Sequence, residues 1–206
     1  MRLLLIRHGQ TPGNVLGQLD TAHPGPGLTE IGASQANALV PALATSGIDA
    51  LFASTLVRTQ LTAAPLAKDQ GIEVEVRPGL HEIGAGDLEL HSDRASIHRY
   101  LETVYAWGLG DLSATMPGGA DGHEFFGRFD ADIEAIAGSG AGVAAAVSHG
   151  AAIRVWVSSR ANNIHPSFGA ENALDNTGIV TLEGSVSEGW TLTNWAGNPV
   201  SADLPA

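Results

Sequence analysis

Apolar and polar positions fall into short blocks along this chain, and the period of the pattern changes from block to block. Arg2 to Ile6 is an almost unbroken apolar run, as in a strand buried on both faces, and it stops at Arg7-His8-Gly9. From Gln10 to Leu28 the punctuation by Pro12, Gly13, Gly17, Pro24, Gly25, Pro26 and Gly27 predicts a loop. Thr29 reads as the N-cap of a helix that runs to about Leu43. Ile48 to Ala53 predicts a second strand, Thr55 to Lys68 a second helix, and Ile72 to Val76 a third strand with alternating pattern. Residues 85–117 are the least regular stretch, with helical turns expected around Ala95 to Trp107. Asp121, with Glu124 three residues later, predicts the capped start of another helix. Val143 to Val147 is a strongly apolar strand that ends at Ser148-His149-Gly150 and leads into a helix to about Ser159. Ile179 to Glu183 and Thr191 to Trp195 read as a closing pair of strands.

Strands alternating with helices imply a layered α/β fold around a mostly parallel sheet. No repeat, low-complexity tract or linker divides the chain, so residues 1–206 read as one domain. In open sheets of this kind, ligands bind beyond the carboxyl ends of the strands. His8 and His149 each follow an apolar strand and precede a glycine. Two parallel strands would therefore deliver both imidazoles to one rim. Arg7 arrives with the first, and Arg58 lies near the start of the helix that follows the second strand.

Charge and composition narrow the chemistry. A formal charge of −12 with ten lysines and arginines argues against nucleic-acid and anionic-membrane binding. It also makes every arginine informative. The chain has no cysteine, which excludes cysteine-based phosphatase, protease and redox chemistry and fits a cytoplasmic protein. Arg7-His8-Gly9 cuts the first apolar run far short of a signal-peptide core, and no run approaches the roughly 20 apolar residues of a membrane span. Neither His81-Glu82 nor His123-Glu124 completes an H-E-x-x-H motif, so no metal or other cofactor is expected.

Arg7-His8-Gly9-Gln10-Thr11 resembles the R-H-G-x-T signature of the histidine phosphatase (phosphoglycerate mutase-like) superfamily, and Asn14 stands where that family has an asparagine. The series continues in family order. Leu28-Thr29-Glu30, Gly32 and Gln35-Ala36 resemble L-T-x-x-G-x-x-Q-A; Ser54, Leu56, Arg58 and Thr62-Ala63 resemble S-x-L-x-R-A-x-x-T-A. Leu80, Glu82-Ile83, Gly86 and Glu89 are similar to L-x-E-I-x-x-G-x-W-E-G, and Ser148-His149-Gly150 with Asn176 completes the set. The resemblance implies a three-layer α/β/α sandwich, phosphoglycerate mutase-like, and a small phosphorylated substrate. It implies His8 as a nucleophile that becomes phosphorylated, with Arg7, Asn14, Arg58 and His149 around the phosphoryl oxygens. Two arginines and a histidine suit that task, because phosphoryl transfer depends mainly on positioning and electrostatic stabilisation. His8 must keep its attacking nitrogen neutral, so a backbone carbonyl should hold its other N–H. Glu82 is implied as the general acid, and a carboxyl beside a phosphate is expected to hold its proton more tightly. His81, Asp87 and Glu89 are its neighbours in sequence.

The departures from the family pattern bear on substrate. Leu88-Glu89-Leu90 stands where W-E-G is usual, and Gly119-Ala120-Asp121 where G-E-S is common. Residues 85–122 form the variable, substrate-side insert. Cofactor-dependent mutases of the family are longer between the acid and the second histidine and carry more basic residues there; this chain has Arg94, Arg99 and Arg128. Phosphatase is therefore the favoured activity, mutase-type transfer the alternative, and a non-catalytic phospho-ligand binder a third reading. Arg128 reads as a structural ion pair, and Arg154 as a packing or salt-bridging residue. His91, His98 and His123 read as surface histidines. For Tyr100, Tyr105, Trp107, Met116, Phe125 and Phe126 two readings stand, core packing and an apolar lid over the cleft. A homodimer is compatible with all of this.

Overall fold

The computed structural model describes residues 1–201. The run Arg2–Arg7 is the central strand β1 of a seven-stranded sheet. After the short helix α1 (Pro12–Leu16) and the long helix α2 (Glu30–Leu43) come β2 (Ala50–Ser54), α3 (Val57–Gln70) and β3 (Val74–Arg77). Turns of 3₁₀ helix at residues 78–80 and 86–88 lead to α4 (Arg94–Gly108) and α5 (Gly122–Ala137). The chain then forms β4 (Val143–Ser148), α6 (Gly150–Arg160), α7 (Phe168–Glu171), β5 (Ile179–Ser185), β6 (Gly189–Trp195) and β7 (Asn198–Pro199).

The strand order is β3-β2-β4-β1-β5-β6-β7. The first four strands run parallel, whereas β5, β6 and β7 are joined antiparallel. The sheet is thus mixed, and the expected parallel character belongs to the half that carries β1, β2 and β4. The antiparallel half follows from connection length: only three residues separate β5 from β6, enough for a hairpin and far too few for a crossover.

Period-2 alternation divides the sheet's side chains into two cores. Leu4 and Ile6, with Leu51, Ala53, Ala145 and Val147, pack against Leu39 and Leu43 of α2 and Ala63 and Leu66 of α3. Leu3, Leu5 and Phe52, with Ala144 and Ala146, face the other way onto α4, α5 and α6. The result is an α/β/α sandwich. The three consecutive alanines of β4 let both helical layers approach the sheet closely. Trp107, Phe125, Phe129 and Trp156 fill the wider layer and are each about 1% exposed or less.

Two local readings are corrected. The Gln10–Leu28 stretch contains α1, because Thr11 and Asn14 exchange side-chain-to-backbone bonds across its first turn and Pro12 starts it without losing a bond. The helical turns around Ala95 to Trp107 are one continuous helix of 15 residues, capped by Asp93 on the N–H of Ser96. Tyr100, Val104 and Trp107 lie on its buried face. Among the described residues no helix is long and apolar enough to cross a membrane.

Candidate active site

Register brings the two histidines together. Arg7 pairs with Ser148 across the parallel β1–β4 ladder, so His8 and His149 are the next residues of neighbouring strands. Their rings lie 5.2 Å apart at 61°, and both are almost fully buried. A cleft at this rim is lined by Arg7, His8, Asn14, Arg58 and Glu82. Every residue expected at the site therefore reaches one cleft or, for His149, packs directly behind it.

Local chemistry orients each group. His8 Nδ1 lies 2.7 Å from the backbone oxygen of Gly9; a carbonyl can only accept, so Nδ1 carries the proton and Nε2 keeps its lone pair. Burial, aided by Arg58 and Arg7, holds the His8 pKa well below the usual histidine range, although the Gly9 bond opposes this. His149 Nε2 is 2.7 Å from Ser54 Oγ at the end of β2, and its Nδ1 receives the Arg58 Nε–H at 3.4 Å. Its pKa is likewise pushed well down, first by burial and then by Arg58. The long Arg58 contact is the replaceable one of the two.

Arg7 donates from Nη1 to the Leu174 carbonyl at 2.6 Å, and Arg58 from Nη2 to the Asp20 carbonyl at 3.0 Å. Arg7 Nε and Arg58 Nη1 are buried and have no hydrogen-bond partner among the described residues. An unmet buried donor of this kind costs about 1–3 kcal/mol, more when charged. Burial lowers the pKa of both arginines, and a guanidinium stays charged in proteins. Asn14 Oδ1 is occupied by Thr11 N and by Asn176 Nδ2, which leaves the Asn14 amide NH2 as its free end.

Glu82 reaches the cleft from the turn after β3. Its Oε1 accepts from Ile83 N and Ala152 N, each at 2.9 Å, and its Oε2 from Ala151 N at 3.2 Å. It thereby caps α6, whose own N-cap, His149, makes no side-chain capping bond. The turn itself is clamped by Arg128, which donates to the carbonyls of Gly79, His81 and Glu82 at 2.6, 2.7 and 2.9 Å. Arg128 is structural, as expected, but through carbonyls and not an ion pair. Burial lowers its pKa to about 10.

Other expectations sort clearly. Trp107, Met116, Phe125 and Phe126 are core residues and do not form the apolar lid; of the cluster, Tyr100 lines the cleft and donates to the Ile83 carbonyl at 3.0 Å. Arg154 is tied to the Gly169 carbonyl at 2.6 Å and stacks over Tyr105, yet it also lines the cleft. His91 and His98 have exposed side chains, and His123 is exposed as well. Glu89 does not line this cleft: its carboxylate accepts from Thr21 N and Ala22 N and from the Thr21 hydroxyl, which closes the loop along the cleft. Sequence reasoning missed Asp20, Gln18 and Leu101 in the cleft wall and the orienting role of Ser54. The Asp20 loop carries no periodic signal; Ser54, sitting in the recognisable S-x-L-x-R pattern, could have been found.

A family model, the histidine phosphatase superfamily (branch 1), matches residues 3–198. A PE-PGRS family protein of Mycobacterium tuberculosis is 40% identical over 219 residues, which cover 97% of this chain and 37% of the relative. An adenosylcobalamin/alpha-ribazole phosphatase of Salmonella typhimurium is 34% identical over 128 residues, 62% of either protein. The matches thus span less than two thirds of these relatives. A mycobacterial glucosyl-3-phosphoglycerate phosphatase structure superposes with a TM-score of 0.79 at 25% identity, covering 95% of this chain and 98% of that one. The alpha-ribazole phosphatase of Shigella flexneri gives 0.76 at 25% identity over 100% and 99%.

Proposed function

This chain belongs to the histidine phosphatase superfamily, branch 1, and from that premise we propose that it is a metal-independent, cytoplasmic phosphatase hydrolysing a phosphomonoester of a small metabolite. The observation that carries the reading is the pair of buried, partnerless guanidinium nitrogens, Arg7 Nε and Arg58 Nη1, at the cleft that holds His8. Unmet cationic donors of this kind suit a multi-oxygen anion. They also supply the positive charge that a metal ion would otherwise bring.

In this mechanism His8 Nε2 attacks phosphorus in line as the bond to the ester oxygen breaks. Arg7, Arg58 and the Asn14 amide take the phosphoryl oxygens; the bound anion replaces the long Arg58–His149 contact, and His149 joins them as its Nδ1–H tautomer, with the Ser54 hydroxyl then donating to Nε2. Glu82 gives a proton to the leaving oxygen. Its Oε1 already accepts two bonds and its Oε2 one, so Oε2 is the working oxygen. Water then attacks the phosphohistidine, Glu82 takes the proton of that water, and inorganic phosphate leaves with His8 restored. Two easier steps replace one difficult one.

We read residues 1–206 as one catalytic domain with residues 85–122 on the substrate side, in line with Tyr100 and Leu101 of α4 in the cleft wall. Names of relatives suggest substrates to try first, a ribazole phosphate and glucosyl-3-phosphoglycerate. Mutase-type transfer is a second reading, favoured by 27% identity over the whole chain to a probable phosphoglycerate mutase of Yersinia enterocolitica. The test is turnover of p-nitrophenyl phosphate together with trapping of an acid-labile, base-stable phosphoprotein. Wild-type protein should show both and His8→Ala neither. Wild-type protein without turnover or label across the acid and neutral range would overturn the reading. Isomerisation of 3-phosphoglycerate exceeding its hydrolysis would favour the mutase.

A further inference from the structure

The cleft contains a negative group that the phosphoryl chemistry does not use. Asp20 lies in the loop between α1 and α2, and its side chain is 14% exposed. Its Oδ1 stands 3.9 Å from Arg58 Nη1, within ion-pair range but too far for a hydrogen bond. That nitrogen is the partnerless donor at the phosphoryl site. Among the described residues no donor reaches the Asp20 carboxylate at hydrogen-bonding distance, in contrast to Glu82 with three. The backbone holds Asp20 in place regardless, since its carbonyl accepts from Arg58 Nη2 and the adjacent Thr21 is clamped by Glu89. Its carboxylate also lies against Gly13 of α1, where a Cβ would come within 2.8 Å of Oδ2.

We propose that Asp20 determines which protonation state of the complex binds phosphate: ionised it competes for Arg58 and repels a dianion, whereas protonated it releases Arg58 and donates to a phosphoryl oxygen. This rests on the phosphoryl-site reading given above. The charged groups facing Asp20 are Arg58 from α3 and Glu89, the residue after the 86–88 turn, with Arg7, His8 and Glu82 across the cleft. Burial raises the Asp20 pKa, Arg58 opposes the rise and Glu89 adds to it. A bound phosphate dianion adds a like charge and raises it further, so binding takes up a proton. Near neutral pH the ionised carboxylate then hastens departure of product phosphate.

The experiment is calorimetric titration of inorganic phosphate into wild-type and Asp20→Asn protein between pH 5 and 8, in buffers of differing ionisation enthalpy. Asparagine is neutral and can donate, so it mimics protonated Asp20. Asp20→Asn should bind phosphate about tenfold more tightly at the alkaline end, the equivalent of one pK unit. It should also lose the proton uptake seen in wild type. Phosphate's own ionisation is common to both proteins and cancels in the comparison. Asp20→Ser, a smaller neutral side chain, is the second variant if the first does not fold, and the same loss of proton uptake is expected of it. Equal affinity and equal proton uptake in wild type and variant would overturn the Asp20 proposal and leave the phosphatase reading intact. Failure of wild-type protein to bind phosphate anywhere in the range would overturn the site reading, and this proposal with it.

Discussion

His8 Nδ1 and the carbonyl oxygen of Gly9 lie 2.7 Å apart, so a backbone group one residue away sets the tautomer of the proposed nucleophile. The arrangement has a cost in stability at low pH. His8 and His149 are both buried, and burial holds both pKa values well below the ordinary histidine value of 6.5. The unfolded chain therefore binds protons first as pH falls, and stability declines from about pH 6.5 downward through the depressed folded values. Each histidine contributes a slope of up to about 1.4 kcal/mol per pH unit in that window. Urea midpoints at pH 7 and pH 5.5 check this, and His149→Gln should flatten the dependence.

Ser54 Oγ sits 2.7 Å from His149 Nε2, and both groups are fully buried. In the free protein Nδ1 accepts from Arg58, so Nε2 is the protonated nitrogen and Ser54 is its acceptor. Ser54→Ala leaves that N–H unpaired and should cost about 1–3 kcal/mol in thermal or urea unfolding. A fall in kcat of about tenfold or more should accompany it, because the ring loses its orienting partner. Unchanged kcat in a destabilised Ser54→Ala protein would limit Ser54 to the core.

Leu90 adopts φ +61°, in the left-handed region, and its side chain is 57% exposed. This is the position where the W-E-G pattern carries glycine. A left-handed leucine costs about 1–2 kcal/mol, and glycine returns about 0.5–1 kcal/mol of that through its greater freedom when unfolded. Leu90→Gly should therefore stabilise the protein by roughly 0.5–1 kcal/mol, with the Leu90 N to Leu19 O bond kept. The denaturation midpoint measures it, and a destabilised variant would contradict the backbone argument.

Much of this organisation was legible in the sequence, for identifiable reasons. The strands β1 and β4 are apolar enough to be read directly, and their abrupt ends at His8 and His149 placed the site. The helix α2 was legible because Thr29 caps it in sequence and in space, accepting from Gly32 N at 3.0 Å. What was hidden depends on contacts between distant segments. Glu82 caps α6 from 70 residues away, Glu89 closes the Thr21 loop from 68, and Arg128 grips carbonyls that have no sequence signature at all. The helix α1 was masked by Pro12 and Gly13, which read as breakers although proline is well suited to the first turn. The strands β5 and β6 were legible as a closing pair, but their antiparallel direction is set by connection geometry, which periodicity does not encode.

Arg128 offers a direct test of such a distant contact. Its guanidinium holds three carbonyls of residues 79–82, and lysine cannot reproduce a planar fork. Arg128→Lys should cost about 2–4 kcal/mol of stability, since charge-assisted bonds to partly buried carbonyls are lost. Any Arg128→Lys protein that folds should show reduced kcat through a displaced Glu82, and full activity would separate the clamp from the chemistry.

In the proposed mechanism Glu82 has two duties that a single substitution disturbs together, and leaving-group dependence separates them. Glu82→Gln places an amide NH2 where backbone N–H donors of Ala151 or Ala152 now find an acceptor. That weakens the cap on α6 by about 0.5–2 kcal/mol whatever substrate is used. The lost proton transfer, in contrast, is felt only where the departing oxygen needs a proton. For an alkyl phosphate kcat/KM should fall by about 10²–10⁴. For p-nitrophenyl phosphate, whose leaving group has a pKa of about 7, loss in the first step should be tenfold or less. A burst of nitrophenol should then appear, because Glu82 also serves the water that clears the phosphohistidine, and the second step becomes limiting. An equal loss for both substrates, without a burst, would mean that Glu82 acts through the helix cap alone and that the proton comes from elsewhere in the cleft.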